Sequence, residues 1–329
     1  MKQDKNRIEG LRENIRSGDE VAGEAFAELL SPPKTVMIDA WPTFNRMTGG
    51  FQMKALSVFC GGTGQGKTDF MANISANLCL QEIPHYVASV ETGDTDFFLR
   101  VLSKLSNRDL NTGEKFDLGT IREIDKIWGR HIRAKHFNLA IHNNRISIEC
   151  LLRELEIAHK DLGCKLAILD NLSFFLEATS TQNSIMEMDR VIHELIMFCK
   201  RTPMHLILVC HPRKTEGRVE SEYDIKGSST AVQEAHNVFL FNRPSQEQIE
   251  NGVLSFGHRE LKFAKLRKRG ANAGKKLIFT WKDRTYDERF IIGRDTGKIL
   301  GLDELPIQTR HDGVAGERGK AEFNDRYFD

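Results

Sequence analysis

The chain has 329 residues, 40% hydrophobic and 28% charged, with a net charge of +1, a balance that suits a globular protein with one large core and provides no global field to draw it onto nucleic acid. No apolar run approaches the ~20 residues needed to span a bilayer, and the opening Met1-Lys2-Gln3-Asp4-Lys5 is too polar for a signal peptide. Six cysteines without Cys-x-x-Cys spacing point to free thiols rather than disulfides or zinc, so the expected location is the cytoplasm.

Residues 1–34 read as an amphipathic helical segment and linker: Ile8, Leu11, Ile15, Val21, Phe26, Leu29 and Leu30 recur at a loose helical period broken at Gly18, and Pro32-Pro33 ends it. From residue 35 strands and helices alternate. The pattern predicts strands at 55–60, 85–90, 138–142, 165–170 and 205–210, and helices at 67–80, 94–106, 147–160 and 185–201. Such alternation specifies an α/β fold with a mostly parallel twisted sheet flanked by helices. Later apolar runs at 237–241, 261–266, 276–281 and 290–292 have fewer helices between them, so an antiparallel C-terminal extension is expected. The unit ends near residue 303, and residues 304–329 have the composition of a flexible tail.

Between the first strand of that series and its helix lies Gly61-Gly62-Thr63-Gly64-Gln65-Gly66-Lys67-Thr68, followed by Asp69. A glycine-rich turn from strand to helix lets backbone N–H groups converge on a phosphate, and the helix N-terminus adds a favourable dipole. Lys67 would reach the β and γ phosphates and Thr68 would supply one Mg²⁺ ligand. In a parallel sheet, ligands sit beyond the carboxyl ends of the strands, and polar groups stand at those ends here. The run Lys165–Leu169 closes on Asp170, suited to the Mg²⁺ shell; Tyr86–Val90 closes on Glu91, suited to orient or deprotonate water; His205–Cys210 closes on His211, suited to sense the γ phosphate. His205 and His193 read as ordinary satisfied polar residues.

These residues together resemble the RecA-like motor of hexameric replicative helicases, the family containing bacterial DnaB, phage primase-helicases and mitochondrial Twinkle. The resemblance spans roughly residues 35–290 and rests on Thr48-Gly49-Gly50-Phe51, the phosphate loop, Ser89-Val90-Glu91 followed by Arg100, Leu169-Asp170-Asn171-Leu172, and Cys210-His211-Pro212-Arg213-Lys214. Its most discriminating parts are Lys226-Gly227-Ser228-Ser229-Thr230-Ala231-Val232-Gln233-Glu234-Ala235 and Lys265-Leu266-Arg267. It implies Glu91 as catalytic base, Asp170 as Mg²⁺ carboxylate and His211 as γ-phosphate sensor. It also implies a channel loop at Lys226, Gly227, Ser228 and Ser229, with Gln233 coupling that loop to the nucleotide. The second Ser stands where a Gly is common. Lys265 and Arg267 would reach the triphosphate of a neighbouring subunit, Arg267 as arginine finger.

Charge supports the last assignment. Arg259, Lys262, Lys265, Arg267, Lys268, Arg269, Lys275 and Lys276 stand against one acid, Glu260, a concentration that calls for an anion opposite. Arg213, Lys214, Arg218 and Lys226 flank a polar stretch at 212–229, as expected where phosphates of single-stranded DNA are met without regard to sequence. The expected protein is thus an ATP- or dTTP-driven, Mg²⁺-dependent helicase assembled as a homo-oligomeric ring, most often a hexamer, on single-stranded DNA and forked duplex. With no Cys₄ spacing and only ~35 residues ahead of the core, no fused primase is expected. Phe323-Asn324-Asp325-Arg326-Tyr327-Phe328-Asp329 suits docking to a primase, polymerase or single-strand-binding protein. The same residues also allow a recombinase that forms filaments, or a nucleotide-switched DNA-binding or helicase-loading module.

Overall fold

The runs Ala55–Cys60, Leu166–Asp170 and His205–Cys210 are apolar apart from Ser57, Asp170 and His205, as suits strands covered on both faces, and each is buried along its whole length. The structure, a computed structural model, describes residues 17–30, 35–131, 136–140, 146–171, 181–212, 218–225, 233–294 and 298–301. In chain order the strands are β1 (Thr35–Val36), β2 (Phe51–Gln52), β3 (Ala55–Cys60), β4 (His85–Ser89), β5 (Phe137–Leu139), β6 (Leu166–Asp170), β7 (His205–Cys210), β8 (Asn237–Asn242), β9 (His258–Leu266), β10 (Lys276–Lys282), β11 (Thr285–Ile292) and β12 (Ile299–Leu300). The helices are α1 (Gly18–Leu30), α2 (Pro42–Thr48), α3 (Lys67–Leu80), α4 (Asp94–Ser106), α5 (Leu118–His131), α6 (Ile148–Lys160), α7 (Thr181–Arg201) and α8 (Gln246–Glu250).

One ten-stranded sheet runs in the order β12-β11-β10-β9-β8-β3-β7-β6-β4-β5. The strands from β5 to β8 in that order are parallel, and β9 to β12 continue the sheet antiparallel. This is the expected α/β architecture with its antiparallel extension. One face buries Phe59, Phe239 and Phe279 under Phe70 of α3, Phe97 of α4 and Ile124 of α5. The other buries Leu56, Val58 and Leu208 under Leu151 of α6 and Ile192 of α7.

Several elements depart from the predicted pattern. The predicted helix at 185–201 starts earlier, at Thr181. The strand predicted at 138–142 is Phe137–Leu139, and residues 141–145 lie outside the described residues. Helices α2 and α5 and the pair β1–β2 are additions to that pattern, although α2 carries local signals: Pro42 at its start and a left-handed Gly49 at its end, φ +79°. This short helix is fastened from far along the chain. Glu288 accepts from the amides of Thr43 at 2.8 Å and Phe44 at 2.5 Å, and Trp41 Nε1 donates to the Tyr286 carbonyl at 2.7 Å. Helix α1 exposes Phe26, Leu29 and Leu30. No helix among the described residues is long and apolar enough to cross a membrane. All six cysteines are free; five are buried and Cys150 is exposed.

Two histidines are built into the core as neutral groups. His205 Nδ1 donates to the Gln52 carbonyl at 2.6 Å, which leaves Nε2 to accept from Ser57 Oγ at 3.0 Å. His85 lies 2.6 Å from Ser75 Oγ through Nε2 and 2.9 Å from the Ile83 carbonyl through Nδ1. Burial pushes both down to about 4. Their folded pKa values lie below the ordinary 6.5, so the unfolded chain binds more protons between those limits. The stability they contribute is complete above pH 6.5 and is lost as pH falls towards 4. Asp170, raised to about 6 by burial, has the opposite sign and offsets part of this. Urea midpoints measured from pH 7 to pH 5 are therefore expected to fall; a flat or rising midpoint contradicts the neutral core histidines.

Candidate nucleotide site

Strand β3 leaves the middle of the sheet at Cys60, and the chain must turn into α3 between neighbours that crowd it. A Cβ on Gly61 would lie 2.4 Å from the Phe241 carbonyl oxygen, and Gly66 has φ +97°, a conformation that side chains rarely tolerate. Helix α3 begins at Lys67 with no side-chain cap on its N-terminus, and an uncapped helix N-terminus is an arrangement that binds anions. Lys67 Nζ, buried, donates to the carbonyls of Gly61 at 2.7 Å and Gly62 at 2.9 Å. Burial lowers the Lys67 pKa, and the Asp170 carboxylate works against that shift.

The next side chain reaches two strands across the sheet. Thr68 Oγ1 donates to Asp170 Oδ2 at 2.8 Å. Asp170 is 1% exposed, and desolvation pushes its carboxyl up to about 6, while the Thr68 hydrogen bond pulls the other way. Among the described residues no three His, Cys, Asp or Glu gather for a metal ion. Mg²⁺ in triphosphate sites takes one or two protein oxygens and completes its shell with phosphate and water. Thr68 Oγ1 and Asp170 Oδ2 fit that demand.

The exits of β4, β6 and β7 meet beside this pair. Asn171, 1% exposed, donates through Nδ2 to Glu91 Oε2 and to His211 Nε2 at 2.9 Å. His211 Nε2 stands 3.4 Å from the same Glu91 oxygen, and the Asp170–Asn171 peptide is cis. The candidate base, the candidate sensor and the candidate metal carboxylate thus share one edge with Lys67. In the sequence Asn171 is only part of a motif; nothing in one sequence says that a strand-end amide will bridge an acid and an imidazole from two other strands.

Other candidates are placed differently. Gln65 Oε1 accepts from the Arg243 amide at 2.6 Å. Asp69 turns away from the loop, to Lys104 Nζ at 2.8 Å and to the Tyr286 hydroxyl. Tyr286, 2% exposed, packs edge-on to Phe70 and lies behind Gly66. Arg259, counted with the basic cluster, is buried next to the loop, its Nε 3.8 Å from where a Gly66 Cβ would be and without a hydrogen-bond partner. Arg218 is committed to buried Glu260. Arg213, Lys214, Lys226, Gly227, Ser228 and Ser229 lie outside the described residues.

Lys265, Arg267 and Gln233 gather at the opposite edge of the sheet. The Arg267 amide donates to the His236 carbonyl, and the His236 amide donates to the carbonyl of Leu56 at the start of β3. Lys265 Nζ donates to the Gln233 carbonyl at 2.6 Å and Arg267 Nη2 to the Glu234 carbonyl at 3.3 Å. Arg259 and Arg267 are eight steps apart along β9 and its end, about 26 Å at strand rise.

A family model, the DnaB-like helicase C-terminal domain, matches residues 39–288. The chain belongs to this family. A DNA helicase/primase of Enterobacteria phage T3 is 31% identical to this DnaB-like chain over 111 residues, which is 32% of the chain and 20% of the phage protein. The chain thus spans about a fifth of the length of that curated relative. Among solved structures, a DnaB-like replicative helicase studied with its interactions with primase superposes with a TM-score of 0.64 at 14% identity, over 83% of this chain and 67% of the other. A second solved structure, an isolated ATPase domain, superposes with a TM-score of 0.65 at 13% identity, over 84% of this chain and 99% of the other. Both likenesses are of fold.

Replacing Asn171 by Ala in this DnaB-like domain removes the donor that holds Glu91 and His211 together. Misplacement of a reacting group by about 1 Å can cost roughly 10²-fold in rate. If Glu91 and His211 act on bound nucleotide, turnover is expected to fall by about that factor, while nucleotide affinity, assigned to Lys67 and the glycine-rich loop, changes far less. Equal losses in turnover and affinity would contradict this division.

Proposed function

We propose that the chain is the motor of a ring-shaped helicase that hydrolyses ATP or dTTP, moves along single-stranded DNA and unwinds duplex DNA. The observation that carries this reading is the separation of two halves of one site. Lys67, Thr68, Asp170, Glu91 and His211 stand at one edge of the sheet, and Lys265 and Arg267 at the other, where their side chains donate to backbone carbonyls. A second copy placed head to tail would bring its Arg267 to the first copy's triphosphate, and repeated head-to-tail contacts close into a ring where the rotation between copies closes; six subunits is the expected number.

In this mechanism Lys67 exchanges the Gly61 and Gly62 carbonyls for the β and γ phosphates. Thr68 and Asp170 would hold Mg²⁺, which when bound would supply charge neutralisation at the phosphate oxygens. Glu91, oriented by Asn171, takes the proton of the attacking water, and His211 reports whether the γ phosphate is present. The neighbour's Arg267 stabilises the transferring phosphoryl. Residues 212–229, with Arg213, Lys214, Lys226, Gly227, Ser228 and Ser229, meet the DNA backbone, and Gln233 relays nucleotide state to them. A primase, polymerase or single-strand-binding protein is the expected partner, in the cytoplasm of a prokaryotic or phage-infected cell.

Forked-duplex unwinding tests this directly. Lys67→Ala should abolish unwinding and DNA-stimulated turnover. Arg267→Ala should cost ~10³ or more in turnover, the range seen for arginine fingers. Mixed with wild type, it should depress activity more steeply than dilution, because each subunit completes its neighbour's site. A proportional decline removes the trans role of Arg267. Nucleotide binding without turnover favours a loading or regulatory module instead.

A further inference from the structure

The sequence groups Arg218 with the cations that meet DNA, but its side chain is spent inside the protein. Its Nε donates to Glu220 Oε1 at 2.9 Å, one Nη to the Arg243 carbonyl and the other to Glu260 Oε2. Glu260 is 1% exposed and also accepts from Gln248 Nε2 at 2.7 Å, with Lys276 Nζ at 3.6 Å. To give its guanidinium to a phosphate, Arg218 would have to strip its closest counter-charge from a buried carboxylate, which is strongly unfavourable. The residue after Arg218 is held as firmly. Val219 exchanges two hydrogen bonds with the Asn242 side chain, amide to Oδ1 at 2.9 Å and Nδ2 to carbonyl at 2.9 Å.

Asn242 ends β8, the strand beside β3, and Arg243 is the next residue. The amide of Arg243 donates to Gln65 of the phosphate loop at 2.6 Å, while its carbonyl accepts from Arg218. One short piece of backbone is therefore gripped from one side by the loop that would cradle phosphate. From the other side it is gripped by residues lying in sequence between His211 and Lys226. We infer that Arg218 is a positioning residue that ties its own segment, 218–225, to Gln65 through Asn242 and Arg243, so that nucleotide and single-stranded DNA bias each other's binding across this link. The inference rests on the proposed reading of 212–229 as the DNA-facing stretch.

Coupling of this kind is reciprocal, and it typically amounts to ~5- to 150-fold in affinity. The full chain is titrated with a labelled oligo-dT in the presence and absence of a non-hydrolysable ATP analogue, and with the analogue in the presence and absence of oligo-dT. The coupling ratio should agree between the two routes. Arg218→Gln combined with Glu260→Gln replaces the ion pair by a neutral one and leaves no buried charge stranded; it is expected to bring the ratio to about one. Arg218→Lys keeps a cation beside Glu260 without the fork that also reaches Arg243, and should lower the ratio too. Gln65→Ala should lower it likewise, and adding it to the Arg218/Glu260 pair should cause no further loss, as expected for members of one link. An undiminished ratio in these variants overturns the link. So does a uniform loss of DNA affinity with or without nucleotide, accompanied by a salt dependence shallower by about one contact, since that marks Arg218 as a direct phosphate ligand. A wild type with no ratio at all defeats the helicase reading itself, whereas a coupled wild type with coupled variants defeats only the link.

Discussion

Parallel pairing of β3, β7, β6 and β4 is the constraint on which the rest depends. Because the four strands run the same way and are paired in register, Cys60 beside Cys210, Leu169 beside Leu208 and Ser89 beside Asp170, whatever follows each strand emerges at the same edge. Residues as far apart in the chain as Lys67 and His211 need no further device to become neighbours. Register also sets the fine spacing. A slip of one residue in β6 would turn Asp170 to the other face of the sheet and remove the acceptor from Thr68.

The charges at this edge are held by makeshift partners. Lys67 is satisfied by two carbonyls of its own loop, and Asp170 by a hydroxyl, while burial shifts each towards its neutral form. Neutral-leaning groups in a dry pocket respond strongly to an added charge, because the low local dielectric that disfavours them alone also magnifies any compensating interaction. A phosphate beside Lys67 and a cation beside Asp170 would therefore reinforce each other. Asn171 works differently. A neutral amide can hold Glu91 and His211 without changing the charge of either, so orientation is supplied separately from electrostatics.

The parts legible in the sequence are those whose cause is local. Gly61 of the glycine-rich loop is there because the Phe241 carbonyl excludes a side chain, and Gly64 and Gly66 because of their positive φ, and that requirement leaves a trace in the letters themselves. Strands β3, β6 and β7 announce themselves by dominantly apolar runs, and the polar residues at or just beyond the ends of β6 and β7 mark the edge where ligands collect in parallel sheets. What stays hidden depends on contacts between distant segments. Nothing near Pro42 indicates that Glu288 will cap it, nothing near Asn171 indicates a bridge from Glu91 to His211, and Arg218 looks the same in sequence whether it faces DNA or a buried Glu260. The basic run at 259–276 misleads in one respect. Read as a single cluster it includes Arg259, but an extended strand carries its residues apart, so Arg259 lies beside the chain's own loop and Arg267 at the far edge.

That last separation has a structural logic. β9 runs antiparallel to β8, so it starts beside the phosphate loop and ends at the opposite edge, and no bend of a nine-residue strand paired on both sides could return Arg267 to its own Lys67. A long crossover helix packed across the sheet after β8, in place of the five-residue α8, would have allowed another parallel strand, its end at Arg267 then lying on the edge of Lys67. The antiparallel turn instead commits the chain to carrying one cation by the loop and exporting another to the far side. The fifteen residues from Arg243 to Gly257, α8 among them, return the chain antiparallel, and with that turn the sheet acquires two chemically distinct ends. A molecule with two complementary ends is the ordinary starting point for head-to-tail assembly, in which the angle between successive copies alone decides between a closed ring and an open filament.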